Sequence, residues 1–378
     1  MTAILNGKCI VDNEIVEEKI LLFDDKIIDI VDDIIISDSD TIEIIDAKGA
    51  YVSAGFIDLH IHGSGGADVM DATPEALELL STTLPQTGTT SFLATTMTMS
   101  TQAIDNALQN IQNNAHRVTG AKIVGIHLEG PFINTLKHGA QDKNYVQSPN
   151  FNLIEKYMNE VKMITLAPEV EGAEDFVKQM TKEYPRIILS VGHSNASYEE
   201  AKQSFSWGVS HVTHLFNAMP GYHHREPGLV GAVFDSDVTC DIIADLVHTH
   251  PSTLALTHKL KSDKLVLITD AMRAGCMKCG SYDLGGRKVE VSEGKALLED
   301  GTLAGSVLKM NEAMENMMQH TSMTRVEVVN AVTKLPANML GLKKGVLKKG
   351  YDADIVIFDE NFSIISTIIA GESKYKRM

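Results

Sequence analysis

Short apolar runs broken by turn residues set the pattern of this chain. In residues 1–50 the runs Ile4–Leu5, Ile20–Leu22, Ile27–Ile30 and Ile42–Ile45 alternate with Asn-Gly, Asp-Asn and Asp-Asp pairs, which is how short strands and tight turns read. The stretch Gly345–Met378 has the same texture. Strands this few and short do not make a stable sheet alone. The two ends are therefore expected to pair into one small β domain, a β-sandwich, with residues 1–50 and 346–378 as its parts and 51–345 inserted between them.

The inserted stretch carries eight apolar, β-branched runs: Gly55–Leu59, Thr90–Thr95, Lys122–Leu128, Met163–Ala167, Ile187–Val191, His211–Leu215, Val238–Ala244 and Lys264–Ile268. Helix-compatible segments separate several of them, among them Pro74–Leu84, Thr101–Ala115, Ala173–Glu183 and Ser197–Phe205. Alternating strand and helix predicts a parallel sheet, and the length suits a (β/α)8 barrel of the TIM type in the α/β class. A hairpin over Lys288–Leu298, turning at Glu293–Gly294, and helices over about Val307–His320 and Arg325–Thr333 are expected after the eighth run.

Composition narrows the function. The chain has 378 residues and a formal net charge of -17, so a nucleic-acid partner, which calls for a basic face, is not expected. An anionic ligand must be held by a few local cations against that field. Four cysteines are too few for a disulfide framework in a chain this long. Cys276 and Cys279 have CxxC spacing, but no second pair completes a structural zinc site, and a solvent-facing loop is the plainer reading. The first residues lack a basic stretch followed by a long apolar core, and no apolar run approaches the length of a membrane span. A reducing, cytoplasmic setting without membrane partners is expected.

The chemistry gathers at the ends of the predicted strands. The first ends in His60–Ile61–His62, the third in Glu129, the fifth in Gly192–His193; the sixth carries His214, and the eighth ends at Thr269–Asp270. In a barrel these ends converge on one mouth, where active sites are built. Side chains alternate along a strand, so His60 and His62 face the same way. Imidazoles and a carboxylate together suit zinc, iron or manganese. Taken singly, Glu129 reads equally well as a surface turn residue and Asp270 as a helix N-cap. His127 and His211 read as packing groups or as supports behind the site's ligands.

These motifs resemble the amidohydrolase superfamily, and within it the family of N-acetylglucosamine-6-phosphate deacetylases. The matching stretches are AGFIDLHIHG (54–63), GIHLEGPFI (125–133), LAPE (166–169), VGHSNAS (191–197), HVTHLFNAMPGYHHREPGLVG (211–231), IADLVH (243–248), ITDAM (268–272) and DGTLAGS (300–306). The resemblance implies a divalent metal, zinc, iron or manganese, on Glu129, His193 and His214. It allows a second ion on His60 and His62, with Glu129 bridging. It implies Asp270 as the group that takes a proton from water and passes it to the departing amine. His138 would orient the acetamide carbonyl. Asn217, Ala218, Arg225 and His248 would hold a sugar phosphate, while Ala140, Leu303, Ala304 and Gly305 would line the sugar. A phosphorylated amino sugar as substrate and a homodimer whose Arg225 loop reaches the neighbour's site complete what it implies. Another amidohydrolase, such as a cyclic amidase or a different N-acetyl-sugar deacetylase, and a non-catalytic barrel scaffold remain as rival readings.

Overall fold

The structure is a computed structural model that describes residues 1–33 and 42–377. Eight parallel strands follow one another around a barrel: Phe56–Ile61, Thr89–Thr96, Lys122–Glu129, Val161–Leu166, Ile188–Val191, His211–Val212, Thr239–Ile243 and Leu265–Ile268. Each predicted run overlaps one of them. The ladder ends on the first and eighth strands, and the ring closes just beyond, where Asp270 N–H donates to the His60 carbonyl at 2.9 Å and His62 N–H to the Ala271 carbonyl at 2.9 Å. That closure already joins two residues singled out for chemistry. The strands are buried along nearly their whole length, as expected of a parallel sheet covered by helices.

The predicted helices appear as Pro74–Thr83, Thr101–Asn114, Ala173–Glu183, Tyr198–Trp207, Met310–His320 and Arg325–Val332. Thr73, Ser100, Ser197 and Thr324 cap four of them with side-chain oxygens, satisfying amide groups that a helix leaves unpaired. Three further helices, Gly228–Phe234, Pro251–Lys261 and Lys334–Met339, complete the set among the described residues. The hairpin at Glu293–Gly294 gains a third strand, Gly280–Leu284, pairing with Arg287–Ser292. This small sheet buries Leu284, Val289 and Leu298 against Met97, Met272 and Ala304 and roofs one side of the barrel mouth.

The chain ends meet as expected. Ile355–Phe358 pairs antiparallel with Tyr51–Ala54, and one continuous sheet runs from Glu372–Lys376 through these strands and Thr2–Val11 to Ile27–Val31. It encloses its own core of Ile4, Leu21, Phe23, Val52, Ile355 and Ile357. The N-terminal part expected over residues 1–50 also includes residues 34–41, which lie outside the described residues. Gly55 passes the chain from this sheet into the barrel. A Cβ there would stand 2.1 Å from Thr90 Oγ1, so the close approach requires glycine.

Candidate active site

Five strand ends deliver side chains to one point. The Nε2 atoms of His60 and His62 lie 3.3 Å apart. Glu129 Oε1 is 3.0 Å from His193 Nε2 and 3.1 Å from His214 Nε2, while Oε2 is 3.3 Å from His62 Nε2. Glu129 thus belongs to two groups, His60–His62–Glu129 and Glu129–His193–His214, in each of which the ligand atoms lie within 4.8 Å of one another. All five residues are buried, which removes the reading of Glu129 as a surface turn residue.

The donor set fits a metal on its own chemistry. His193 Nδ1 donates to the Lys137 carbonyl at 2.9 Å, so in the neutral ring Nε2 bears a lone pair. That lone pair faces an oxygen of Glu129 and the Nε2 of His214, 3.2 Å away. Acceptors that converge in a buried site call for a cation between them. Without one, the groups must charge each other. Burial raises the Glu129 carboxyl, yet the charges of His60 and His193 outweigh it and hold it well below the usual carboxylate range. Burial lowers His214, and its contact with Glu129 more than reverses this, to about 9. His193 and His214 adopt left-handed backbone angles, φ 50 and 32, a strain that clusters at functional sites. Asp241 supports His214 from behind, accepting its backbone N–H and the Nε2–H of His211, the latter at 2.9 Å. His211 is therefore a packing group, and so is His127, bonded to Thr165 Oγ1 at 2.7 Å.

Asp270 faces the His60–His62–Glu129 group. Its Oδ1 lies 3.5 Å from His60 Nε2 and 3.4 Å from His62 Nε2. A bridge and then a turn follow it, so it caps no helix. Burial would raise its carboxyl, but His60 and His62 draw it down to about 2.

A cavity of ≈ 200 Å³ opens over Asp270 and the two groups. Ala140, Asn217, Ala218, His248, Leu303 and Gly305 line it as expected. Three expected site residues do not. His138 Nδ1 donates to the Gln141 carbonyl at 2.8 Å, and Gln141, which the sequence reading missed, presents its side chain to the cavity instead. Ala304 is fully buried in the small roof sheet's core, because the turn that exposes Leu303 and Gly305 points its methyl inward. Arg225 is exposed and lies 2.8 Å from His224 Nε2. Gln141 is tightly placed: Oε1 accepts Thr98 N–H at 2.7 Å, and Nε2 donates to Glu129 Oε2 at 2.8 Å. Among the described residues, no lysine or arginine lines the cavity.

A model of the amidohydrolase family matches residues 51–374. The chain belongs to the amidohydrolase family. Among its relatives, this amidohydrolase is 41% identical to the N-acetylglucosamine-6-phosphate deacetylase of Lysinibacillus sphaericus, over 86% of each chain. It is 34% identical to the N-acetylgalactosamine-6-phosphate deacetylase of Escherichia coli O157:H7, over 84% of this chain and 86% of the other. Its structure superposes on the N-acetylglucosamine-6-phosphate deacetylase of Pasteurella multocida with a TM-score of 0.93 at 30% identity, covering 98% and 99% of the two chains. The amidohydrolase is therefore a hydrolase of the deacetylase kind, and its buried histidine–carboxylate groups mark a divalent-metal site.

Proposed function

We propose that this amidohydrolase removes the acetyl group of N-acetylglucosamine 6-phosphate, yielding glucosamine 6-phosphate and acetate in amino-sugar catabolism. The observation that carries this reading is Glu129 shared between two histidine pairs, with Asp270 against the His60–His62 pair and lining the same cavity as Glu129, His193 and His214. Glu129, His193 and His214 would hold one zinc, iron or manganese ion, and His60, His62 and Glu129 a second. Such an ion supplies Lewis acidity and lowers the pKa of water to near neutrality.

Asp270 enters the reaction ionised, beside the cation that His60 and His62 would hold. It takes a proton from water as the C–O bond forms at the acetamide carbon. It returns that proton to the sugar nitrogen as the C–N bond breaks, so one carboxylate serves as base and then as acid. Gln141, fixed by Thr98, holds Glu129 at the cavity wall through its amide N–H, while the carbonyl would be oriented from the neighbouring His138 loop. Ala140 and Gly305 leave room for the sugar ring, beside Leu303. Asn217, Ala218 and His248 stand at the phosphate end. A homodimer would complete that end with the Arg225 of the neighbouring subunit, since the guanidinium is exposed on its own subunit. No helix among the described residues is long and apolar enough to cross a membrane, and the four cysteines are free, which suits a reducing cytoplasm.

A substrate panel tests the proposal. Acetate release is expected from N-acetylglucosamine 6-phosphate, at least about 10-fold faster in kcat/KM than from N-acetylglucosamine, given the weight of charged hydrogen bonds. Equal rates on the two would overturn the phosphosugar reading. The galactosamine-type relative makes N-acetylgalactosamine 6-phosphate the competing sugar, and a higher kcat/KM on it would reassign the substrate. Hydrolysis of a cyclic amide such as dihydroorotate instead would favour the cyclic-amidase reading.

A further inference from the structure

Two buried carboxylates beside the site have no part in the reaction: Asp58, which accepts the Thr269 hydroxyl at 2.6 Å and His60 N–H at 3.2 Å, and Asp68, which is left half unpaired. Asp68 is 1% exposed and lies in a two-residue hairpin, Gly63–Ser64 with Ala67–Asp68, that starts directly after His62. Val69 N–H donates to the His62 carbonyl at 2.8 Å and ties the two segments together. Asp68 Oδ1 accepts Met70 N–H at 2.9 Å, capping the short turn Val69–Asp71. Its Oδ2 has no hydrogen-bond partner, and neither has Nδ1 of His62. The other ring nitrogen of His62 is directed at Glu129 and Asp270. Buried polar atoms left unpaired are uncommon and costly, and here an acceptor and a ring nitrogen are orphaned in adjoining segments. Burial pushes the Asp68 carboxyl up to about 6, and the strongest opposing influence is the charge of His62.

We propose that Asp68 is the positioning residue for the His60–His62 half of the metal site, accepting the Nδ1–H of His62 on Oδ2 when Nε2 ligates an ion. The inference rests on the metal reading given above. A ligand imidazole normally donates its second N–H to a carboxylate or carbonyl, which fixes the tautomer and strengthens the ligand. His193 has its carbonyl in Lys137; Nδ1 of His60, His62 and His214 is unpaired, and His62 has the unpaired Oδ2 of Asp68 in the hairpin that follows it. The pair is open in this structure, so closing it and loading the ion go together. Asp68 then governs retention of the second ion and leaves the Glu129–His193–His214 group alone.

A plain capping role for Asp68 is separable. Asn and Ser are both good N-caps, but neither supplies a carboxylate. In the Asp68→Asn variant, with the amide oxygen on Met70 N–H, the amide NH2 would turn toward the Nδ1–H of His62, donor against donor. The experiment titrates Zn(II) into full-length metal-free wild type, Asp68→Asn and Asp68→Ser, reading bound equivalents against a competing chelator, together with melting temperatures. Wild type is expected to bind two equivalents. Both variants are expected to keep one at wild-type affinity and to bind the second about 10–100-fold more weakly, with metal-free melting temperatures near wild type. If one variant fails to fold, the other carries the comparison. Two equivalents bound by the folded variants as tightly as by wild type would overturn the proposal. Wild type saturating at one equivalent would overturn it too, while leaving a one-ion deacetylase intact. Failure of wild type to bind any ion would instead contradict the metal reading itself.

Discussion

Asp270 shows how much one residue is asked to do. Its backbone closes the barrel, through the Asp270 N–H to His60 and through its carbonyl, which accepts Ser306 N–H at 2.8 Å. Its φ of 48 is left-handed, a strain of about 1–3 kcal/mol that the closed ring sustains. The side chain is free of those duties. Asp270→Asn is therefore expected to keep the melting temperature and metal content near wild type while kcat falls by about 10²–10⁴. Rate and melting temperature measured on one sample decide this, since a purely structural residue would lower the second and spare the first. The histidines divide differently. Exchanging His60 and His62 together for alanine should remove one equivalent of metal and retain the other, whereas His193→Ala should lose the ion held with Glu129 and His214. Unchanged metal content in the first variant would return His60 and His62 to packing roles.

Elements place these residues, and their legibility depended on how completely each was buried. The eight barrel strands could be read because covering on both faces makes each a continuous apolar run. The strand Gly280–Leu284 could not, because Leu284 alone is buried in it. Helix Gly228–Phe234 begins without a side-chain cap, so nothing in the sequence announces it. His60, Glu129, His193, His214 and Asp270 stood out because ionisable side chains at strand ends are costly unless used. Gln141 carries no charge and sits in a loop, whereas the neighbouring His138 advertises chemistry and turns away from the cavity. The C-terminal part of the small sheet has an electrostatic lock of its own, tied to the N-terminal part by the ion pair of Lys26 with Asp352. Lys344 Nζ lies 2.5 Å from Asp354 Oδ2 and 2.8 Å from Asp352, and Asp354 also accepts Ala370 N–H at 2.9 Å. Asp354→Ala leaves the half-buried Lys344 with Asp352 alone and Ala370 N–H without its acceptor, and should cost about 2 kcal/mol in urea unfolding; wild-type stability would deny the lock. Burial raises the Asp352 carboxyl, but Lys26 and Lys344 outweigh it and hold it below the ordinary range. Its contribution is present above about pH 4 and is lost as pH falls through the native value. Asp352→Asn should flatten that part of the acid unfolding profile.

At the scale of the whole molecule, charge is the constraint. A net charge of -17 repels a phosphosugar at long range, so binding depends on cations brought close to the phosphate. In the proposed binding mode the subunit's own basic side chain at the phosphate would be His248, whose Nδ1 donates to Asp245 at 2.6 Å, and in the proposed homodimer Arg225 would be the guanidinium that the partner adds. Arg225→Ala should lower kcat/KM for the phosphorylated substrate by about 10–150-fold and leave unphosphorylated N-acetylglucosamine nearly unchanged. Hybrids of Arg225→Ala and Asp270→Asn subunits should recover activity, because one site then has its own Asp270 and its neighbour's Arg225. Equal losses on both substrates would make Arg225 a residue of folding or assembly. The central claim, that the Glu129-centred histidine cluster is a catalytic metal site, is tested most directly by acetate release from N-acetylglucosamine 6-phosphate during metal reconstitution. Exhaustively chelated protein should be inactive, and turnover should rise in proportion to the zinc, iron or manganese restored, reaching its plateau at one or two equivalents per chain. Full activity in the metal-free protein would contradict the account.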